Sequence, residues 1–83
     1  GDGKKKAEPK PKPAAKRTQG QIMADIASGN IDRALDEAEG TFNALAGVTG
    51  EAAAEAQALL SRAIRALTEA KALARVAFEH ELR

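Results

Sequence analysis

The chain has 83 residues, a net charge of +1, one His and no Cys, Trp or Tyr, which excludes disulfides, thiolate zinc sites, cysteine nucleophiles and a histidine cluster for a metal. Hydrophobic residues make up 43% of it, but 20 of them are alanine and only sixteen carry large apolar side chains, a thin core for a small domain. No apolar run approaches the roughly 20 residues needed to cross a bilayer.

The near-neutral total conceals a division. Residues 1–20 carry seven basic residues against two acidic ones, +5, whereas residues 21–83 carry six against ten, −4. Residues 1–17 hold all three prolines (Pro9, Pro11, Pro13) among Lys and Ala and contain no large hydrophobe. Such a segment cannot bury enough apolar surface to offset chain entropy, so it reads as a disordered basic arm or linker with polyproline character. It has no signal-peptide apolar core. Its positive charges (Lys4, Lys5, Lys6, Lys10, Lys12, Lys16 and Arg17) are the candidate phosphate contacts, of the salt-dependent, sequence-independent kind. The arm has no aromatics to stack bases, and the acidic body repels nucleic acid, so any such contact rests on the arm alone. The opening Gly1-Asp2-Gly3, with Met23 as the single Met, reads as a fragment or a processed chain, the terminal piece of a larger modular protein.

Residues 18–83 read as one all-α interaction domain, because no stretch alternates in the manner of a strand. A short helix over about 19–28 follows Thr18, where Thr18 and Gln21 have capping-box spacing weakened by Gly20. Ile22, Met23 and Ile26 give it an apolar face, and Ser28-Gly29 reads as its stop. Asn30 then caps a second helix over about 31–46, in which Ile31, Leu35, Phe42 and Leu45 form the core stripe. Gly40 inside it marks close packing or a weak point. Gly47 and Gly50 bracket the next turn, with Thr49 as the expected cap of a third helix.

That third helix, over about 51–81, is rich in Ala, Leu, Glu and Arg, all strong helix formers. Its main stripe is Ala53, Ala56, Leu60, Ala63, Ile64, Leu67, Ala70, Ala74, Ala77 and Phe78. Within it, Ala56, Ala63, Ala70 and Ala77 recur every seven residues beside Leu60 and Leu67, the pattern of a close-packed helix seam. A second apolar line (Leu59, Ala66, Leu73, Val76) lies off this stripe. A helix of about thirty residues is about 45 Å long. The second helix spans about half of that, so one neighbour leaves part of the long helix uncovered. Glu79 and Arg83 form an i,i+4 pair near its end.

Residues 22–45 contain a stretch, Ala27 to Ala38, in which Gly29, Asn30, Ile31 and Ala34 match the turn and second helix of a tetratricopeptide repeat. The resemblance is local and covers one helical hairpin. The family's tryptophan-leucine-glycine signature, its tyrosines and its closing proline are missing, and there is no second copy at a period near 34. It implies a turn at Gly29–Asn30 and a lean toward protein–protein interaction.

No constellation supports catalysis. His80 sits between Glu79 and Glu81, and adjacent helical residues do not converge on one point; Ser61 has no Gly elbow or histidine partner. Gly40, Gly47 and Gly50 fit no phosphate-binding pattern. The reading is a non-enzymatic docking or oligomerisation module without cofactor, in a cytoplasmic setting and with no membrane span. Its partner is a second copy or another protein's helix, and nucleic acid through the arm is the alternative. The expected partner surface is Ile22, Met23, Ile26, Leu59, Leu60, Ile64, Leu67, Leu73, Val76 and Phe78, some of which serve as intramolecular core.

Overall fold

In chain order, a computed structural model describes residues 16–82 and gives two helices: α1, Gln19–Leu45, and α2, Glu51–Glu81. They pack on each other as an antiparallel hairpin, with no strand among the described residues. The all-α expectation is met. The three-helix division is not, because the two segments expected over 19–28 and 31–46 are one continuous helix.

The reason lies in the spacing. Ala24, Ser28, Ile31, Leu35, Ala38, Phe42 and Leu45 follow in alternating steps of four and three, a single heptad seam that runs through Ser28-Gly29-Asn30 without a break. All seven are buried or half-buried. A glycine stop needs the left-handed conformation, yet the only glycine with positive φ among the described residues is Gly50. Helical Gly29 costs about 1 kcal/mol, less than losing the seam on one side of it. Asn30 is not a cap; its Oδ1 accepts from the Arg33 guanidinium one turn on. The turn that the tetratricopeptide resemblance implies at Gly29–Asn30 is likewise not formed.

The start of α1 is as its sequence indicates. Thr18 Oγ1 accepts from the Gln21 amide (3.0 Å) and Gln21 Oε1 accepts from the Thr18 amide (2.9 Å), a complete capping box. Gly20 does not weaken this end. It is buried against the last turn of α2, and its amide donates to the Leu82 carbonyl at 2.7 Å. A first-turn donor of one helix thereby satisfies a last-turn acceptor of the other. A Cβ on Gly20 would lie 2.3 Å from the Phe78 carbonyl oxygen and 2.9 Å from Glu79 Cα, so the backbones approach here only because the residue is glycine. Gly40, by contrast, has nothing within 4 Å of such a Cβ; it is the weak point of α1 rather than a packing contact.

At the other end, the Val48 amide bonds to the Leu45 carbonyl (2.9 Å) and Gly47 to Ala44 (3.3 Å), tightening the exit from α1. Gly50, at φ +115°, reverses the chain and occupies the N-cap of α2 with no side-chain cap. Thr49 therefore does not cap α2. Gln57 Nε2 donates to the Phe42 carbonyl at 3.1 Å and so ties the two helices near the turn.

At about 1.5 Å per residue, α1 is about 40 Å long and α2 about 46 Å, so α1 runs along nearly the whole of its partner. The expectation that α1 covers only half of α2 is corrected by the missing break at Gly29. Facing α1 are Ala53, Gln57, Leu60, Ile64, Leu67, Lys71, Ala74 and Phe78, again in steps of four and three, all buried or half-buried. The Ala56, Ala63, Ala70, Ala77 series is not the seam of the hairpin: Ala56 is half-buried and the other three are exposed. Two lines of equal period compete for α1, and the one carrying Leu, Ile and Phe wins because it removes more apolar area from water.

Candidate interaction surface

A hairpin of two helices has an inner seam, two flat faces and two outer edges. Side chains about 100° to either side of each seam define the two faces, and here they differ in chemistry.

One face is charged. Near the free end of the hairpin, Arg75 Nη2 donates to Asp25 Oδ1 across the helices (2.8 Å) and lies 3.4 Å from Ser28 Oγ, while Nη1 donates to Glu79 Oε2 one turn on (2.9 Å). Lys71 occupies a seam position, and its ammonium reaches out to Asp32 Oδ1 at 2.7 Å, the stem covering apolar surface while the head meets water. Arg17 closes the row by pairing with Asp25. Further along, Glu39, Phe42, Asn43, Ser61 and Ile64 line an open groove of about 300 Å³. Each of these ion pairs is part-exposed, so each contributes on the order of 0.5 kcal/mol and is screened by salt.

The opposite face is apolar along α2. Leu59, Ala63, Ala66, Ala70, Leu73 and Ala77 follow in steps of four and three, a second heptad line about 100° from the seam, and all six are exposed. No charged residue interrupts it. From α1, Asn30, Ala34, Glu37, Thr41 and Ala44 lie on this side exposed, and Met23 and Ala27 half-buried, so the α1 half of the face is mixed and carries one carboxylate.

The ten residues expected to form a partner surface therefore divide four ways. Leu60, Ile64, Leu67 and Phe78 are half-buried in the seam and serve the hairpin itself. Leu59 and Leu73 lie on the apolar face, 53% and 68% exposed, with Met23 at its margin. Ile22 and Ile26, at helical spacing from each other, project from the outer edge of α1, and Val76 from the outer edge of α2; all three are exposed. Of the candidate phosphate contacts, Lys4, Lys5, Lys6, Lys10 and Lys12 lie outside the described residues. Lys16 is exposed, and Arg17 is engaged by Asp25. The expected Glu79–Arg83 pair also falls outside them, and Glu79 meets Arg75 instead.

Gln57, Lys71 and Arg75 were not singled out by sequence reasoning. Their signal was weak: each interrupts or flanks an apolar stripe, and the partner atoms lie 15 to 50 residues away in the chain. Among the described residues no group of three or more His, Cys, Asp or Glu converges to hold a metal, and no helix is long and apolar enough to cross a membrane. Comparison with family models, curated proteins and solved structures finds no match to the chain.

Proposed function

We propose that this hairpin is an association module, whose role is to bury its exposed apolar helix surface against helices of another chain. The observation that carries the reading is the state of its large side chains. Among the described residues none is fully buried; the only buried hydrophobic residues there are Ala24 and Ala53; and Ile22, Ile26, Val48, Leu59, Leu73, Val76 and Leu82 are all between 38% and 68% exposed. A two-helix unit of this size without cysteines to form a disulfide adds to its core most readily by association.

Association that favours the folded state makes the melting temperature rise with protein concentration. The check is a thermal unfolding series followed by circular dichroism over about 1–500 μM, with sedimentation velocity on the same samples. The expected result is a midpoint that climbs with concentration together with a species heavier than one chain. A concentration-independent midpoint for a strict monomer, unchanged by Leu73→Ala, removes self-association and leaves only a helix of a different protein as the partner.

A further inference from the structure

Resting on that association reading, the structure points to a particular partner and register for one surface, the exposed α2 line. We propose that two copies of this chain pack face to face through this line, α2 antiparallel to α2, in the register that sets Arg62 of each copy beside Glu69 of the other.

Three observations lead there. First, the line has the period of a helix seam and yet faces no helix among the described residues. Leu59, Ala63, Ala66, Ala70, Leu73 and Ala77 are all exposed, while the seam beside it is already filled by α1. A helix with two heptad lines about 100° apart suits two neighbours, and the described chain supplies one.

Second, the line is complementary to itself. Two-fold symmetric packing presents the same patch on both copies, so every contact occurs twice. Run antiparallel against its own copy, the line sets Leu59 beside Ala70, Ala63 beside Ala66 and Ala56 beside Leu73. Each leucine meets an alanine, large into small, and the alanines between them let the two helices approach closely.

Third, the margin of the line carries exposed charge of both signs. Arg62 stands between Leu59 and Ala66 on its outer side, and Glu69 between Ala66 and Leu73, each three or four residues from its neighbours. Both are exposed, and neither takes part in an ion pair among the described residues, in contrast with Arg75 and Lys71 on the other face. In antiparallel helix pairs, residues flanking the seam meet their own kind on the partner. In the register above, that contact is Arg62 to Glu69, twice. Sliding one copy by a heptad keeps leucine against alanine but faces Glu69 with Glu69, so charge selects between two registers that apolar packing alone leaves equivalent.

The area sets the strength. From Ala56 to Ala77 the line is about 32 Å long, and the face is two helices, about 20 Å, wide, its α1 half carrying Asn30 and Glu37, the latter near its own copy in this register, which subtracts from the gain. That is on the order of 600 Å² per copy, below the roughly 800 Å² typical of stable complexes. The dimer is therefore expected to be concentration-dependent rather than permanent.

The test uses the full chain in sedimentation equilibrium at about 50 mM salt, with circular dichroism as a check on folding. Ala66→Glu, at an exposed position, is expected to keep its helicity and lose the dimer. Arg62→Glu is expected to weaken association by roughly tenfold, because two attractive contacts become repulsive, and the double exchange Arg62→Glu with Glu69→Arg is expected to restore it. If the wild-type chain self-associates and Ala66→Glu leaves that intact, this surface is wrong while the association reading stands. If the double exchange fails to rescue Arg62→Glu, the register is wrong and the proposal falls. A strict monomer throughout the concentration series overturns self-pairing at any surface.

Discussion

The two flat faces of the hairpin are built from the same pair of helices and differ in almost every other respect. On one, Lys71 reaches Asp32, and Arg75 holds Asp25 and Glu79, so charges of the two helices meet across the hairpin, while Asp36, Glu39 and Arg65 on the same face stay exposed. On the other, α2 presents alanine and leucine with no ion pair across the hairpin, and the charges at its margin, Arg62 and Glu69, have no partner in the described chain. The difference separates a face whose helices are tied to each other by charge from one that makes no such tie. Ion pairs cross the hairpin on the charged face, and the α2 line on the other is left exposed among the described residues.

The strongest way to break this comparison is to place the same charge in the seam and on the apolar face. Leu67→Asp puts a carboxylate among half-buried seam side chains and is expected to cost about 3 kcal/mol of folding free energy, enough to unfold much of the population. Leu73→Asp, on the face, is expected to change the monomer's stability by less than about 0.5 kcal/mol while abolishing association. Chemical denaturation and sedimentation of the two variants separate these effects. Equal loss of stability in both would mean that the face is part of the core after all.

Glycine substitution sharpens the same distinction at a smaller scale. Gly20→Ala drives a methyl into the Phe78 carbonyl and is expected to destabilise by about 2 kcal/mol, since backbone rather than a flexible side chain must move. Gly40→Ala, in open space on the outer side of α1, is expected to stabilise by about 0.5–1 kcal/mol through helix propensity alone. Opposite signs in urea midpoints are the outcome to look for.

The smallest effect belongs to the charged face. Lys71→Met retains the stem that covers the seam and removes the pair with Asp32, so a loss of about 0.5 kcal/mol is expected at low salt and almost none at 1 M. A loss that persists at high salt would show that the charge pair with Asp32 is not what the substitution removes.

Much of this was legible in the sequence, and the parts that were not share a physical cause. The helical content, the turn at Gly47–Gly50 and the capping box at Thr18 are local properties, set by residues within a few positions of each other. Ser28-Gly29-Asn30 misleads because it has every local mark of a helix stop, and the force that overrides it, burial of Ser28, Ile31 and Leu35 against α2, comes from residues far along the chain. The alanine series misleads differently. Its period is a true heptad, but period alone does not say which of two lines on α2 meets α1, and the answer lay in side-chain size. Lys71 escaped notice because a lysine in the seam looks like an interruption until Asp32 stands opposite. As for the surface, exposure of Leu59, Leu73 and Val76 follows from their lying off the main stripe, whereas the division of the remaining residues between seam and edges required the register of α1 on α2.

The hydrogen bond from Gly20 to Leu82 bears on how such a hairpin closes. The two residues are 62 positions apart in the chain, at the end farthest from the turn, and bringing the ends of so long a loop together from an open chain is entropically unfavourable. Pairing that starts beside Gly50, where the ends are already close, encloses only a few residues at a time and proceeds outward like a zipper. The Gly20 amide is then the last tooth to engage and the first to part, so its hydrogen-exchange rate reads the opening of the helix pair from its free end.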